Sequence, residues 1–381
     1  MTARIVPRAL LIVTMAAALL GGLGSGLARL GWQTDALSRN WILIHGPLMI
    51  CGFLGTMICL ERAVALSARY PWSFAVPLIN AAGTVTLLVA PDAMLAKILL
   101  TAGSLGLLII SGLLLHMHLV RYMVVMSLGA LTWVVGNFLW WMGYPIYQVV
   151  HLWTAFLILT IVGERLELSR VRQLTPIIEN TLVVAVAIYL LGVGTAVINL
   201  DVGVRLLGLG ALLMAIWLLR YDIARLTVHR TGLTRYIAVC LLVGYGWLAV
   251  GGVIGMWKGA LYAGPTYAAL LHALLLGFVF SMIFGHAPII LPAVTGLRLN
   301  YHPIFYGHLI LLHVGLAYRM VANLTLGFVP QQWGGMLNVV AVLLFMAVTV
   351  VAVIQSNGGI KLRPRWRTQV AESDQMPRPS P

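Results

Sequence analysis

Polar positions in this 381-residue chain punctuate long apolar runs, and the runs share nearly one length. Stretches of about 20 apolar residues fall at 7–29, 40–60, 72–90, 93–115, 122–142, 146–166, 176–198, 202–220, 234–256, 265–291, 302–323 and 333–355. A helix rises about 1.5 Å per residue, so each run matches a hydrocarbon layer about 30 Å thick. The pattern predicts an all-α integral membrane protein with a twelve-helix transmembrane bundle. Only the end of the chain, from about Asn357, reads differently: GGIKLRPRWRTQVAESDQMPRPSP is polar, contains proline and is basic in its first half. The predicted organisation is a transmembrane domain over 1–356 and a disordered cytoplasmic tail over 357–381 lying near the membrane surface.

Composition sharpens this reading. Hydrophobic residues make up 61% of the chain and charged ones 9%, against about 25% charged in soluble domains. Of the 24 Lys and Arg residues, 18 fall in segments that share a side if both termini are cytoplasmic. The other six, Arg29, Arg39, Lys97, Arg205, Lys258 and Arg319, fall on the opposite side. This positive-inside bias predicts a multi-pass protein of a bacterial cytoplasmic membrane with both termini inside. The net charge of +14 then reflects topology and attraction to anionic lipid head groups. The basic residues form no stripe, which argues against nucleic-acid binding. Arg4 and Arg8 precede the first span as in a signal peptide, but that apolar run continues through Leu30, so a retained helix is expected. Cys51, Cys59 and Cys240 lie inside spans and read as small buried residues. Cys51 and Cys59 share one helix and are too far apart to bridge.

Three of the ten histidines supply the candidate chemistry. His45, His151 and His272 each fall near the start of spans 2, 6 and 10. One histidine every fourth helix, always at the same end, predicts three four-helix pseudo-repeats holding something at one depth. A neutral imidazole within lipid is costly and turns inward to a partner, a water cavity or a metal. Glu61-Arg62 closes span 2 and Glu164-Arg165 closes span 6, which adds to the repeat. Each Glu-Arg sequence reads as an interfacial ion pair at a helix end, with proton uptake as the alternative.

On span 2, His45, Met49, Gly52, Thr56 and Cys59 form one stripe at 100° per residue. Small residues below a histidine suit either close helix approach or a flat porphyrin lying along the helix; the histidine favours the porphyrin. On span 10, His272 and His286 are 14 residues apart, about 21 Å along one face of a straight helix, and could serve two cofactors. His313 falls near the membrane midplane on span 11. His302 and His308 share that span, His116 and His118 close span 4, and His229 sits in a basic loop. The candidate cofactor-binding residues are therefore His45, His151, His272, His286, His313 and Met49, with His45, His272 and His286 as metal ligands. An inter-helix hydrogen bond is the alternative role at each.

Twelve helices with histidines at the outer ends of spans 2, 6 and 10 resemble the catalytic subunit of haem-copper oxidases and nitric oxide reductases. The details are more similar to the NnrS family of haem- and copper-containing membrane proteins. They are His45-Gly46-x-Leu48-Met49-x-x-Gly52-Phe53, His272-Ala273-Leu274-x-x-Gly277, Met282 and Gly285-His286. The architecture covers nearly the whole chain, the motifs about thirty residues. The resemblance implies haem b, in one or two copies, with copper as the weaker expectation, and a link to nitric oxide, denitrification or respiratory stress. It implies pairing of His45 with His272 or His151, and of His286 with a histidine of span 11 or 4. Haem iron takes imidazole as an axial donor that an apolar interior tolerates, and nitric oxide or another small apolar gas can reach it through lipid. The sequence departs from an oxygen-reducing site. His151 is followed by Leu152, Trp153, Thr154 and Ala155, no histidine lies between 152 and 228, and Leu274 stands two after His272. At most one of the usual copper ligands remains, which argues against full oxidase activity and leaves enzyme or sensor open. Two other classes fit a twelve-helix bundle: a secondary transporter, and a cofactor-free assembly or signalling protein. Transport is disfavoured by the scarcity of charge predicted mid-membrane.

Overall fold

The structure is a computed structural model describing residues 5–32, 39–325 and 327–358; the predicted tail beyond 358 lies outside them. Among the described residues there is no strand, and twelve helices are long and apolar enough to cross a membrane. They are α1 (Arg8–Arg29), α2 (His45–Leu66), α3 (Pro71–Val89), α4 (Met94–Met117), α5 (Arg121–Trp141), α6 (Ile146–Arg172), α7 (Pro176–Ile198), α8 (Leu200–Tyr221), α9 (Gly232–Lys258), α10 (Gly264–Thr295), α11 (Phe305–Thr325) and α12 (Phe328–Ser356). The chain is thus a multi-pass, all-α membrane protein. The reason is local: with no water in the hydrocarbon layer, backbone N–H and C=O groups must pair within the segment, and a helix achieves this. Large apolar side chains such as Val89, Leu191 and Ile198 point outward, where lipid solvates them.

Neighbouring helices pack as antiparallel pairs, α5 with α6, α7 with α8, α8 with α9 and α11 with α12. Close approach rests on small residues. A side chain at Gly203 of α8 would strike the backbone of Ala196 on α7. Helix α6 is the most enclosed of the twelve and packs against both α2 and α10. The helices carrying the early histidines therefore meet in the interior.

Two features depart from a straight-helix reading. First, the second span begins later than expected. Arg39–Leu43 is a separate short helix, and Ile44 leaves helical geometry at φ −93°, ψ 6°, so His45 is the first residue of α2. Second, α2 and α10 each contain a π-helical stretch just after the histidine, Leu48–Leu54 in α2 and Ala273–Val279 in α10. Such wide turns displace the α-type hydrogen-bond ladder, and they occur often at functional sites.

Polar side chains brace both stretches. Asn80 of α3 donates to the Cys51 carbonyl and to Thr56 Oγ1, each at 2.9 Å. The Cys51 thiol lies 3.3 Å from Asn137 Oδ1 of α5. In α10, Ser281 donates to the carbonyl of Gly277 within the wide turn. Trp247 Nε1 of α9 donates to His313 Nδ1 at 2.9 Å, and His313 Nε2 lies 3.4 Å from Ser281 Oγ. Cys51, Cys59 and Cys240 are buried free thiols.

The π stretch corrects the stripe expected on α2. A Cβ at Gly52 would come within 3.0 Å of Thr84 on α3 and 3.4 Å of Ala18 on α1, and Thr56 is held by Asn80. The small residues below His45 let α1 and α3 approach closely at Gly52.

Candidate functional site

His45 and His272 face each other across the junction of α2 and α10. Their ring centroids are 6.3 Å apart and their planes differ by 15°. His45 Nδ1 lies 2.7 Å from the carbonyl of Gly22 on α1, and His272 Nδ1 lies 2.7 Å from the carbonyl of Ala268, one turn earlier on its own helix. A carbonyl oxygen only accepts, so in both rings Nδ1 carries the hydrogen and donates. Each neutral imidazole therefore keeps its lone pair on Nε2. This is the arrangement of metal-binding histidines, in which a backbone carbonyl fixes tautomer and ring orientation through the other nitrogen.

The spacing has a chemical meaning. A metal–imidazole bond of about 2.0 Å, with about 1.1 Å from nitrogen to ring centre, places two in-line imidazoles on one metal about 6.2 Å apart, centre to centre, close to the separation of the His45 and His272 rings. Among the described residues no group of three or more His, Cys, Asp and Glu gathers around a common point. A haem iron asks the protein for one or two axial donors, because the porphyrin supplies the equatorial four. The backbone of α1 makes room for the His45 ring: a Cβ at Gly26 would lie 2.9 Å from its Cε1. Met49 packs its thioether against Gly22, one turn below.

Two arginines stand near the pair. Arg319 of α11 is 7% exposed, and its Nε is buried with no hydrogen-bond partner. Arg29, exposed at the end of α1, and Arg319 both act electrostatically on His45 and His272, and on each other. Neither takes part in a salt bridge among the described residues. Two neighbouring cations without a carboxylate, one of them buried, favour an anionic group beside the histidines. Arg319, expected among the outer-segment charges, is a buried residue of α11. A lone arginine within an otherwise apolar span was the signal for it.

The other candidates are placed apart. His151 on α6 is 2% exposed and its Nε2 is buried without a partner among the described residues; no ring contact joins it to the pair among them. His313 has both nitrogens in the chain from Trp247 to Ser281, so it braces the wide turn of α10 and has no free lone pair for a metal. His308 is fully buried, with Nε2 3.1 Å from the Tyr236 hydroxyl among aromatic rings. His286 fixes its Nδ1 on the Met282 carbonyl at 2.7 Å. No histidine ring contacts it among the described residues. The second histidine pair expected on α10 is therefore not formed.

What the fold and this geometry define is a multi-pass membrane bundle with two opposed imidazoles in its interior. Over residues 8–354 the sequence matches the DUF8744 family, a domain of unknown function, and the chain belongs to that family. No curated protein matches it.

Proposed function

We propose that this protein binds one haem b between His45 and His272, as a membrane haem protein of NnrS-like type linked to nitric oxide or respiratory stress. The observation that carries the proposal is the 6.3 Å separation of two near-parallel rings whose Nδ1 atoms are both committed to carbonyls. Arg319 and Arg29 support it, because haem carries two carboxylates that need cationic partners in a dry site. When bound, such a haem supplies one-electron chemistry at iron and, where an axial imidazole gives way, a seat for nitric oxide or another small apolar gas. The protein's part is to hold both imidazoles neutral and aligned, and to set their surroundings apolar. Copper finds no third ligand beside the pair among the described residues. The test is the absorption spectrum of protein purified after expression with ample haem. A Soret band and a pyridine haemochrome near one haem per chain are expected. Protein that folds and carries no haem overturns the reading and leaves a transporter in its place.

We further propose that the His45–His272 layer lies near the outer face of a bacterial cytoplasmic membrane. The basis is the asymmetry of Lys and Arg, which persists after Arg319 is removed from the outer set. Reporter fusions after Arg172 and Arg230 are expected to read cytoplasmic, and fusions near Asp92 and Lys258 external. The opposite pattern would invert the bundle and place the histidine pair near the inner face.

A further inference from the structure

Helices α7 and α8 lie against each other over most of their length and part at one end. A Cβ at Gly203 or Gly210 of α8 would strike the backbone of Ala196 or Tyr189 on α7, so along that stretch the two backbones touch. Where α7 begins and α8 ends, larger residues stand between them. Trp217 of α8 donates its Nε1 hydrogen to the Ile178 carbonyl of α7 at 2.8 Å, and its indole holds the helices apart. A groove of about 530 Å³ opens there. Ile177, Thr181 and Val184 of α7 form one wall, Leu213 and Ile216 of α8 the other, and the buried Trp217 the floor. Ile177, Val184 and Ile216 are exposed, so the groove faces the surrounding lipid.

Its length and its charge describe the occupant. The walls run along Ile177–Ala185 and Leu213–Tyr221, about 12 Å of helix each, against about 15 Å of hydrocarbon in one leaflet. An apolar slot confined to one leaflet suits an acyl chain. Its mouth is basic. Tyr221 closes the groove with its ring 5.6 Å from that of Trp217, and the exposed guanidinium of Arg220 lies 5.7 Å from the Tyr221 ring. Arg172, at the end of α6, donates to the Tyr221 carbonyl at 2.6 Å. Among the described residues neither arginine forms a salt bridge, while the acids adjacent in the chain are engaged elsewhere. Glu179 of α7 is bound by Arg121 at 3.1 Å, and Asp222 by Arg165 at 3.0 Å.

We propose that this groove binds one anionic phospholipid, with an acyl chain between α7 and α8 and the phosphate held by Arg220 and Arg172. Trp and Tyr side chains belong at the head-group level, and arginines gathered there attract acidic head groups. A zwitterionic lipid could fill the same slot but would leave the two cations uncompensated. The proposal does not rest on the haem: α7 begins at the membrane face where α2 and α10 end, away from the histidine pair.

Native mass spectrometry of the full-length protein in detergent, titrated with dioleoylphosphatidylglycerol or dioleoylphosphatidylcholine, tests it. The first bound lipid is expected to be favoured about fivefold or more when it is phosphatidylglycerol, the share of one arginine near an acidic surface. Arg220→Gln should erase most of that preference and Arg220→Lys should keep it. Val184→Trp fills the groove from an exposed position and should weaken the first binding of both lipids severalfold. Two controls should change neither property. Arg69→Gln removes another exposed arginine of the same face, set 5.5 Å over Tyr70. Leu191→Trp adds an indole to the exposed side of α7 beyond the groove. Equal binding of the two lipids by wild type, an unchanged preference in Arg220→Gln, or unweakened binding in Val184→Trp each overturns the proposal. A dimer that Val184→Trp dissociates overturns it as well, and gives the groove to a second copy of the chain.

Discussion

Replacing His272 with alanine is expected to strip most of the proposed haem from the purified protein, to roughly a tenth of wild type or less. Loss of an outer-shell partner of a metal ligand typically costs 10–100-fold in affinity, and loss of the ligand itself should cost at least as much. His45→Ala removes the opposite donor. Its effect is expected to be a spectral change together with partial loss, because Met49 packs one turn below on the same helix, against Gly22, and its thioether is a soft donor that iron accepts. His229→Ala, in a loop outside the spans, should leave the spectrum intact. His313→Ala is the informative control. It breaks the chain from Trp247 to Ser281 under the wide turn of α10, so it should lower stability while the haem that remains keeps its wild-type spectrum. Haem-to-protein ratios and absorption spectra decide the matter. Full haem content in His272→Ala would remove the paired-imidazole reading outright.

The helices were legible because hydrophobic length is a property of each segment alone, and every expected span has its counterpart. His45 and His272 could be expected at one depth for the same reason: each opens a span, and the two spans run in the same direction. What the sequence did not disclose depends on partners distant in the chain. The π stretches of α2 and α10 have no signature in LMICGFL or ALLLGFV; Asn80 and His313 stabilise them from α3 and α11. The stripe below His45 could be read as room for a porphyrin because small residues serve close approach and cofactor space equally, and only the position of α1 and α3 distinguishes them. The Glu-Arg sequences offered the same ambiguity. Adjacent residues on a helix point in different directions, so each arginine found its carboxylate on another element.

Asp222→Ala is expected to destabilise the fold by about 3–5 kcal/mol, the usual cost of leaving one member of a buried ion pair behind. Asp222 and Arg165 are both almost fully enclosed, so water cannot replace the lost carboxylate. Asp222 also holds the Ala224 N–H, and Arg172 donates to the neighbouring Tyr221 carbonyl at 2.6 Å, so the α8–α9 connection is pinned to the end of α6 at two adjacent points. Asp222→Asn keeps an acceptor for Ala224 but leaves Arg165 without a countercharge, and most of the loss should remain. The double change Arg165→Met with Asp222→Leu replaces the pair by apolar groups of similar size, and should recover much of the stability because an apolar pair needs no desolvation of charge. Thermal unfolding in detergent, followed by loss of monodisperse protein, measures the series. Wild-type stability in Asp222→Ala would show that Arg165 reaches water or lipid head groups and that the pair is not buried in the membrane.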